Sequence, residues 1–177
     1  MKNSSRIIFV GGIHGVGKST ICKKICNDLN IEYLSASELL KWKELNSDLK
    51  NKRVKDINET QNRLIMGLEN TISKDKTYLL DGHFCLLNNK NEIVNVPLMT
   101  FKQISPVSLA IILGEIPEIK KRLEKRDRKS YQYSLLKNLQ DSELSHARHL
   151  SKELGVILNI GTQKDYQKIM NSLRITM

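Results

Sequence analysis

Apolar residues along this chain fall into short continuous runs separated by longer stretches with helical spacing. "RIIFV" (6–10), "IEYLS" (31–35), "TYLLD" (77–81), "SLAIIL" (108–113) and "GVILNI" (155–160) read as strands, being brief, rich in β-branched residues and bounded by turn formers. Between them the 3.6-residue period predicts helices over 18–29, 36–45, 54–74, 97–104, 117–128 and 134–154, with a last one over 163–174. Strands apolar on both faces and separated by helices indicate an α/β fold, a parallel sheet covered on both sides. The exception is "CLLNNKNEIVNV" (85–96), two apolar runs around a polar turn, which predicts a small hairpin after the third strand. End signals agree with these boundaries. Ser35 with Glu38, and Thr162 with Asp165, have capping-box spacing, and Pro117 suits the first turn of its helix.

Composition narrows the class. At 177 residues, with 40% hydrophobic and 27% charged, the chain is expected to form one domain, residues 1–177, with a core that needs no staples. The three cysteines, Cys22, Cys26 and Cys85, make an odd count without a C-x-x-C pair. They read as small core residues of a protein in a reducing compartment. Glycine interrupts the apolar run that follows "MKNSSR", so neither a signal peptide nor a membrane span is expected, and the expected location is cytoplasmic. The net charge of +10 suits a nucleotide, nucleic acid or an acidic membrane surface, or else a lysine-rich solvated surface.

Candidate chemistry starts where the first strand ends. Gly12-Ile13-His14-Gly15-Val16-Gly17-Lys18-Ser19 satisfies G-x-x-x-x-G-K-[ST] and opens a predicted helix. A loop that wraps a polyphosphate with its N–H groups needs backbone angles open to glycine, and the helix adds its positive end. Gly12, His14, Gly15, Val16 and Gly17 would line the phosphates. Lys18 would reach the β and γ groups of ATP, Ser19 would ligate Mg²⁺, and Thr20 would add a hydroxyl near the α group. Asp81, ending the apolar strand "TYLLD" beside a phosphate loop, is read as a carboxylate on the Mg²⁺ side, with a turn-capping Asp as the alternative. Gly82 allows close approach of a ligand, while His83 either touches a substrate or packs.

Further on, seven of the ten residues Lys120–Lys129 are Lys or Arg. Arg122 and Arg126 share a helical face, with Arg128 and Lys129 just beyond, and arginines there suit a transferring phosphoryl group. A solvated basic face and a nucleic-acid patch are the alternatives, the latter without the aromatic residues that stack bases. After the second strand, Ser35, Ser37, Glu38 and Lys41 stand near the carboxyl edge of the sheet, where open α/β sheets bind ligands. Lys41 is either an acceptor-phosphate contact or a surface lysine. Trp42 is an anchor or a stacking platform, and the use of "NKRVK" (51–55) is open.

In this order the motifs resemble nucleoside-monophosphate kinases over most of the chain. "GGIHGVGKST" matches that family's phosphate loop, "LSASELLK" its acceptor-site helix, "LLDGH" its L-D-G-F-P-R segment, and "RLEKR" the R-x-x-x-R of its lid. Asp-x-His, a short excursion and a strand introduced by proline, as in "DGHFCLL…SPVSLAIIL", are most similar to archaeal-type adenylate kinases and related small AAA-like ATP-binding proteins. The resemblance implies strand order 2-3-1-4-5, acceptor-binding helices over about 35–74, a short lid over about 122–134, and an adenine-cradling loop after "GVILNIG". It implies an ATP- and Mg²⁺-dependent kinase with a nucleoside monophosphate as acceptor, held near Ser35, Lys41, Gly82 and His83. Lys41 stands where adenylate kinases have the acceptor-site arginine, and Cys85 near where they have another. Those departures keep three other readings open: a kinase for another small alcohol, one for a nucleic-acid 5′ end, and a nucleotide-binding regulatory module with a protein partner.

Overall fold

The five predicted apolar runs form one parallel sheet. The computed structural model describes residues 5–40 and 57–175. Along the chain these are β1 (Arg6–Gly11), α1 (Lys18–Leu29), β2 (Glu32–Ser35), α2 (Ala36–Leu39), α3 (Ile57–Thr71), β3 (Thr77–Asp81), β4 (Cys85–Leu87), β5 (Ile93–Asn95), α4 (Leu98–Ile104), β6 (Ser108–Leu113), α5 (Ile116–Asp127), α6 (Tyr133–Leu154) and β7 (Leu158–Thr162). A 3₁₀ turn (Gln163–Asp165) and α7 (Tyr166–Ile175) complete them. The sheet runs β2-β3-β1-β6-β7. Numbered among themselves, its strands have the order 2-3-1-4-5, as the resemblance implies. β4 and β5 pair antiparallel, which is the predicted hairpin.

Burial follows position in the sheet. β1 and β6 are buried over nearly their whole length, whereas the edge strands β2 and β7 are largely half-buried. That is the pattern expected when helices cover both faces and the edges meet solvent. α1 turns Ile21, Cys22, Ile25 and Cys26 inward, and all three cysteines are buried and unlinked. Phe9, Phe84 and Phe101 meet in the core with ring centroids 5.0–5.7 Å apart.

Two local expectations are corrected. β7 starts at Leu158 rather than at residue 155. Gly155 (φ 66°) is instead the left-handed cap of α6, and the Val156 N–H closes that end on the Ser151 carbonyl. The capping box at Ser35 does not form: the residue stands at the helix start, but its hydroxyl pairs with Ser37 Oγ at 2.8 Å. At Thr162 and Asp165 the box is complete. Among the described residues no helix is long and apolar enough to cross a membrane. Lys41, Trp42 and residues 51–55 lie outside the described residues.

Parallel register aligns the strand ends. Val10 and Ser35 both stand beside Asp81, and Gly11 stands beside Ile111. The chemistry-bearing residues are therefore set along one carboxyl edge.

Candidate active site

The loop between β1 and α1 has the backbone its glycines imply. Gly12 (φ 140°) and Gly15 (φ 80°) lie in the left-handed region. A Cβ at Gly12 would stand 2.6 Å from the Ile112 carbonyl oxygen, and one at Gly15 would stand 2.7 Å from Leu123 Cγ. Side chains are excluded from both positions by neighbouring structure as well as by angle.

Lys18, the first residue of α1, is buried and its ammonium pairs with Asp81 Oδ1. The other oxygen of Asp81 accepts from Ser19 Oγ at 2.7 Å and from the Tyr33 hydroxyl at 2.9 Å. Three elements, α1, β2 and β3, thus converge on one carboxylate. Burial, and then Asp81 beside it, push the Tyr33 phenol well above its ordinary pKa, so it stays a donor. Ser19 Oγ and the Asp81 carboxylate put hard oxygen donors within one hydrogen bond of each other. That donor set fits Mg²⁺.

Two hollows open on this edge. One is bounded by the phosphate loop and α5, with Gly15, Gly17, Thr20, Arg122 and Arg126 in its wall. The other lies between β3, α3 and α4; Ser35, Ser37, Thr60 and Gln61 give it hydroxyl and amide groups, and Leu64 and Phe101 an apolar end. Four residues belong to both: His14, Lys18, Ser19 and His83. The rings of His14 and His83 lie against each other at this junction, with centroids 4.3 Å apart.

The structure brings together most of the residues selected from sequence. Gly12, His14, Gly15, Val16, Gly17, Lys18, Ser19 and Thr20 form the loop and the first turn of α1, and Val16 is buried beneath it. Asp81, Gly82, His83 and Ser35 line the second hollow. Arg122 donates to the Gly15 carbonyl at 3.1 Å and pairs with Glu118 at 3.2 Å. Arg126 reaches the same hollow but is clasped by Asp127, at 2.6 and 2.8 Å. Arg126 in turn holds the Asp127 carboxyl well below its ordinary pKa. Arg128 lines neither hollow; it is the left-handed cap of α5 (φ 53°), its N–H on the Glu124 carbonyl. Between α5 and α6 the chain makes a short turn over residues 128–132, tied back to α5 where Glu124 accepts the Tyr131 N–H at 3.0 Å.

Sequence reasoning missed Tyr33 and Glu143. Glu143 on α6 is 0% exposed, and it accepts from Gly12 N (3.1 Å), Phe84 N (2.8 Å) and Cys85 N (2.8 Å). Its signal was present, because it sits at helical spacing within the buried stripe of Leu136, Leu139, Ala147 and Leu150. A carboxylate inside an apolar stripe is out of pattern. Burial raises its pKa to about 7 against the opposing pull of the three N–H groups and the Lys18 charge.

Residues 11–140 match the family described as AAA domain, and the chain belongs to that family. Its architecture is a P-loop kinase fold. A gluconokinase from Sinorhizobium meliloti superposes with a TM-score of 0.60 at 11% identity, over 99% of this chain and 93% of that one. An uncharacterized protein from Eubacterium ventriosum superposes with a TM-score of 0.52 at 15% identity, over 96% of each. No curated protein matches the chain in sequence.

Proposed function

We infer that the chain is an ATP- and Mg²⁺-dependent phosphotransferase that passes the γ-phosphoryl group to a small molecule, a nucleoside monophosphate in the finer reading. The observation that carries this is the meeting of two hollows at His14, Lys18, Ser19 and His83. A donor in the glycine-lined hollow and an acceptor in the other would face each other across those four side chains.

Transfer needs the acceptor oxygen to bond to the γ-phosphorus as the β–γ bridging bond breaks and ADP leaves. That chemistry depends on position and on charge, with little covalent assistance. Lys18 would exchange Asp81 for the phosphates, leaving the carboxylate to the cation. Ser19 and Asp81 would hold Mg²⁺, which supplies charge neutralisation on the phosphate oxygens when bound. Arg122 and Arg126 would close over the donor from the short lid at about 122–134 and exclude water. A phosphate acceptor at neutral pH is already ionised, so the site needs no dedicated base. The apolar end at Leu64 and Phe101 and the hydroxyl and amide groups beside it suit a base and ribose.

A second reading has its own observation. Among the described residues of the acceptor hollow, Lys18 is the cation in the wall, and the rest is hydroxyl, amide, imidazole or apolar apart from Asp81. Such a lining also suits an uncharged alcohol, and the gluconokinase that shares the fold is a kinase by its name. Radiolabelled Mg·ATP offered with nucleoside monophosphates, sugar acids, other alcohols and 5′-hydroxyl oligonucleotides separates the readings. Label is expected on a nucleoside monophosphate. Label only on an alcohol or an oligonucleotide end rejects that acceptor. Lys18→Ala is expected to lower transfer by about a hundredfold or more while circular dichroism stays unchanged; near wild-type turnover in that variant would remove the mechanism.

A further inference from the structure

Glu143 takes no part in the transfer just described, yet its two oxygens divide between the two sides of the site. Oε2 accepts the Gly12 N–H at the start of the phosphate loop, and Oε1 accepts the N–H groups of Phe84 and Cys85, directly after His83. These are backbone groups from segments 72 residues apart in the chain (84 − 12). The fit depends on Gly11, where a Cβ would run into the Phe84 ring and stand 3.2 Å from Glu143 Oε2. α6 therefore holds the donor loop and the acceptor wall through a single carboxylate.

We propose that Glu143 is a positioning residue whose ionised carboxylate fixes the spacing between the phosphate loop and the Asp81–His83 segment. A carboxylate offers acceptors only, which matches three converging donors. With Oε1 engaged by two N–H groups, a proton would go to Oε2. There it would turn an acceptor into a donor facing the Gly12 N–H, and the loop would lose its anchor. The same reasoning applies to Glu143→Gln, whose amide nitrogen can accept nothing from Gly12. Among the described residues, Lys18 on α1 and the Cys85 thiol on β4 interact electrostatically with the carboxylate, and His146 follows it one turn along α6. Burial pushes the Cys85 thiol up to about 12 and the His146 imidazole below its ordinary value. Glu143 itself, at about 7, changes charge within the physiological range.

The inference uses the reading of residues 12–20 as a nucleotide site, but not the choice of acceptor. Its test has one arm without any ligand. In amide NMR spectra of the wild-type protein, the Gly12, Phe84 and Cys85 signals are expected to shift together with a common midpoint near pH 7. Glu143→Gln is expected to abolish that shared transition, which separates it from titration of the neighbouring imidazoles. In the second arm, calorimetry with Mg·ADP at pH 6 and pH 8 compares the two proteins. Wild-type affinity is expected to fall several-fold, to a limit of about tenfold, on the acid side, relative to a variant that binds weakly at both. Three amides that shift independently, or not at all, overturn the proposal even if the variant does not fold. So does wild-type affinity that improves on the acid side, since repulsion between the carboxylate and the phosphates would then outweigh positioning. If the amides titrate as expected and Mg·ADP does not bind at either pH, the nucleotide site has failed and the linkage through Glu143 stands.

Discussion

Asp81 is where single side chains decide most, because Lys18, Ser19 and Tyr33 all terminate on its two oxygens. Tyr33→Phe removes one half-buried hydrogen bond and is expected to cost about 1 kcal/mol of stability, read by urea denaturation. It is also expected to lower kcat a few-fold, since the carboxylate loses a restraint. An unchanged kcat would mean that Asp81 is oriented without the Tyr33 hydroxyl. Lys18 and Ser19 were legible because a nine-residue stretch carries the whole device, and Asp81 because an apolar strand ends on it. Tyr33 was not, since its partner lies 48 positions away and nothing local in "IEYLS" points there. Glu143 sits between these cases. Its position in an apolar stripe was visible, but the three N–H groups that explain it are set by tertiary structure alone.

At the level of elements, the glycine loop and the turn after α5 carry the testable consequences. Gly12→Ala forces a side chain against the Ile112 carbonyl in a left-handed backbone. It is expected to cost about 1–3 kcal/mol and to weaken Mg·ADP binding together with stability, measured by thermal unfolding with and without nucleotide. Binding intact after a large loss of stability would separate loop geometry from ligand affinity. In the turn, Asp127 clasps Arg126. Asp127→Asn is expected to release the guanidinium toward the hollow and lower the KM for ATP a few-fold; an unaltered KM would indicate that Arg126 does not reach the phosphates. Element types were legible throughout, from apolar runs and helical periods. Boundaries were read less well where an end is set by backbone bonding. β7 is the example, for the αL cap at Gly155 and the Val156–Ser151 bond consume two residues that look like strand.

Over the whole molecule, burying Glu143 sets a pH dependence of stability with a definite sign. Its pKa rises from 4.5 to about 7 on folding, so its contribution is fully present below 4.5 and is lost as pH climbs through 7. The loss is about 3 kcal/mol across that window. Denaturation of wild type and Glu143→Gln at pH 5 and pH 8 is expected to show the larger decline in wild type, with the other carboxylates cancelling in the comparison. Equal declines would mean that the carboxylate is not held at that pKa. The form of the protein that best orders the site is then its less stable form, the exchange of stability for activity expected of a working centre. The sheet order was legible only through likeness to other P-loop proteins, because periodicity finds strands but does not rank them. One consequence follows from the four residues common to both hollows. On the function proposed above, phosphates entering from either side would both end on Lys18 and Ser19. The junction would then act as a ruler: a ligand lengthened by one phosphate on either side is expected to compete with the other ligand.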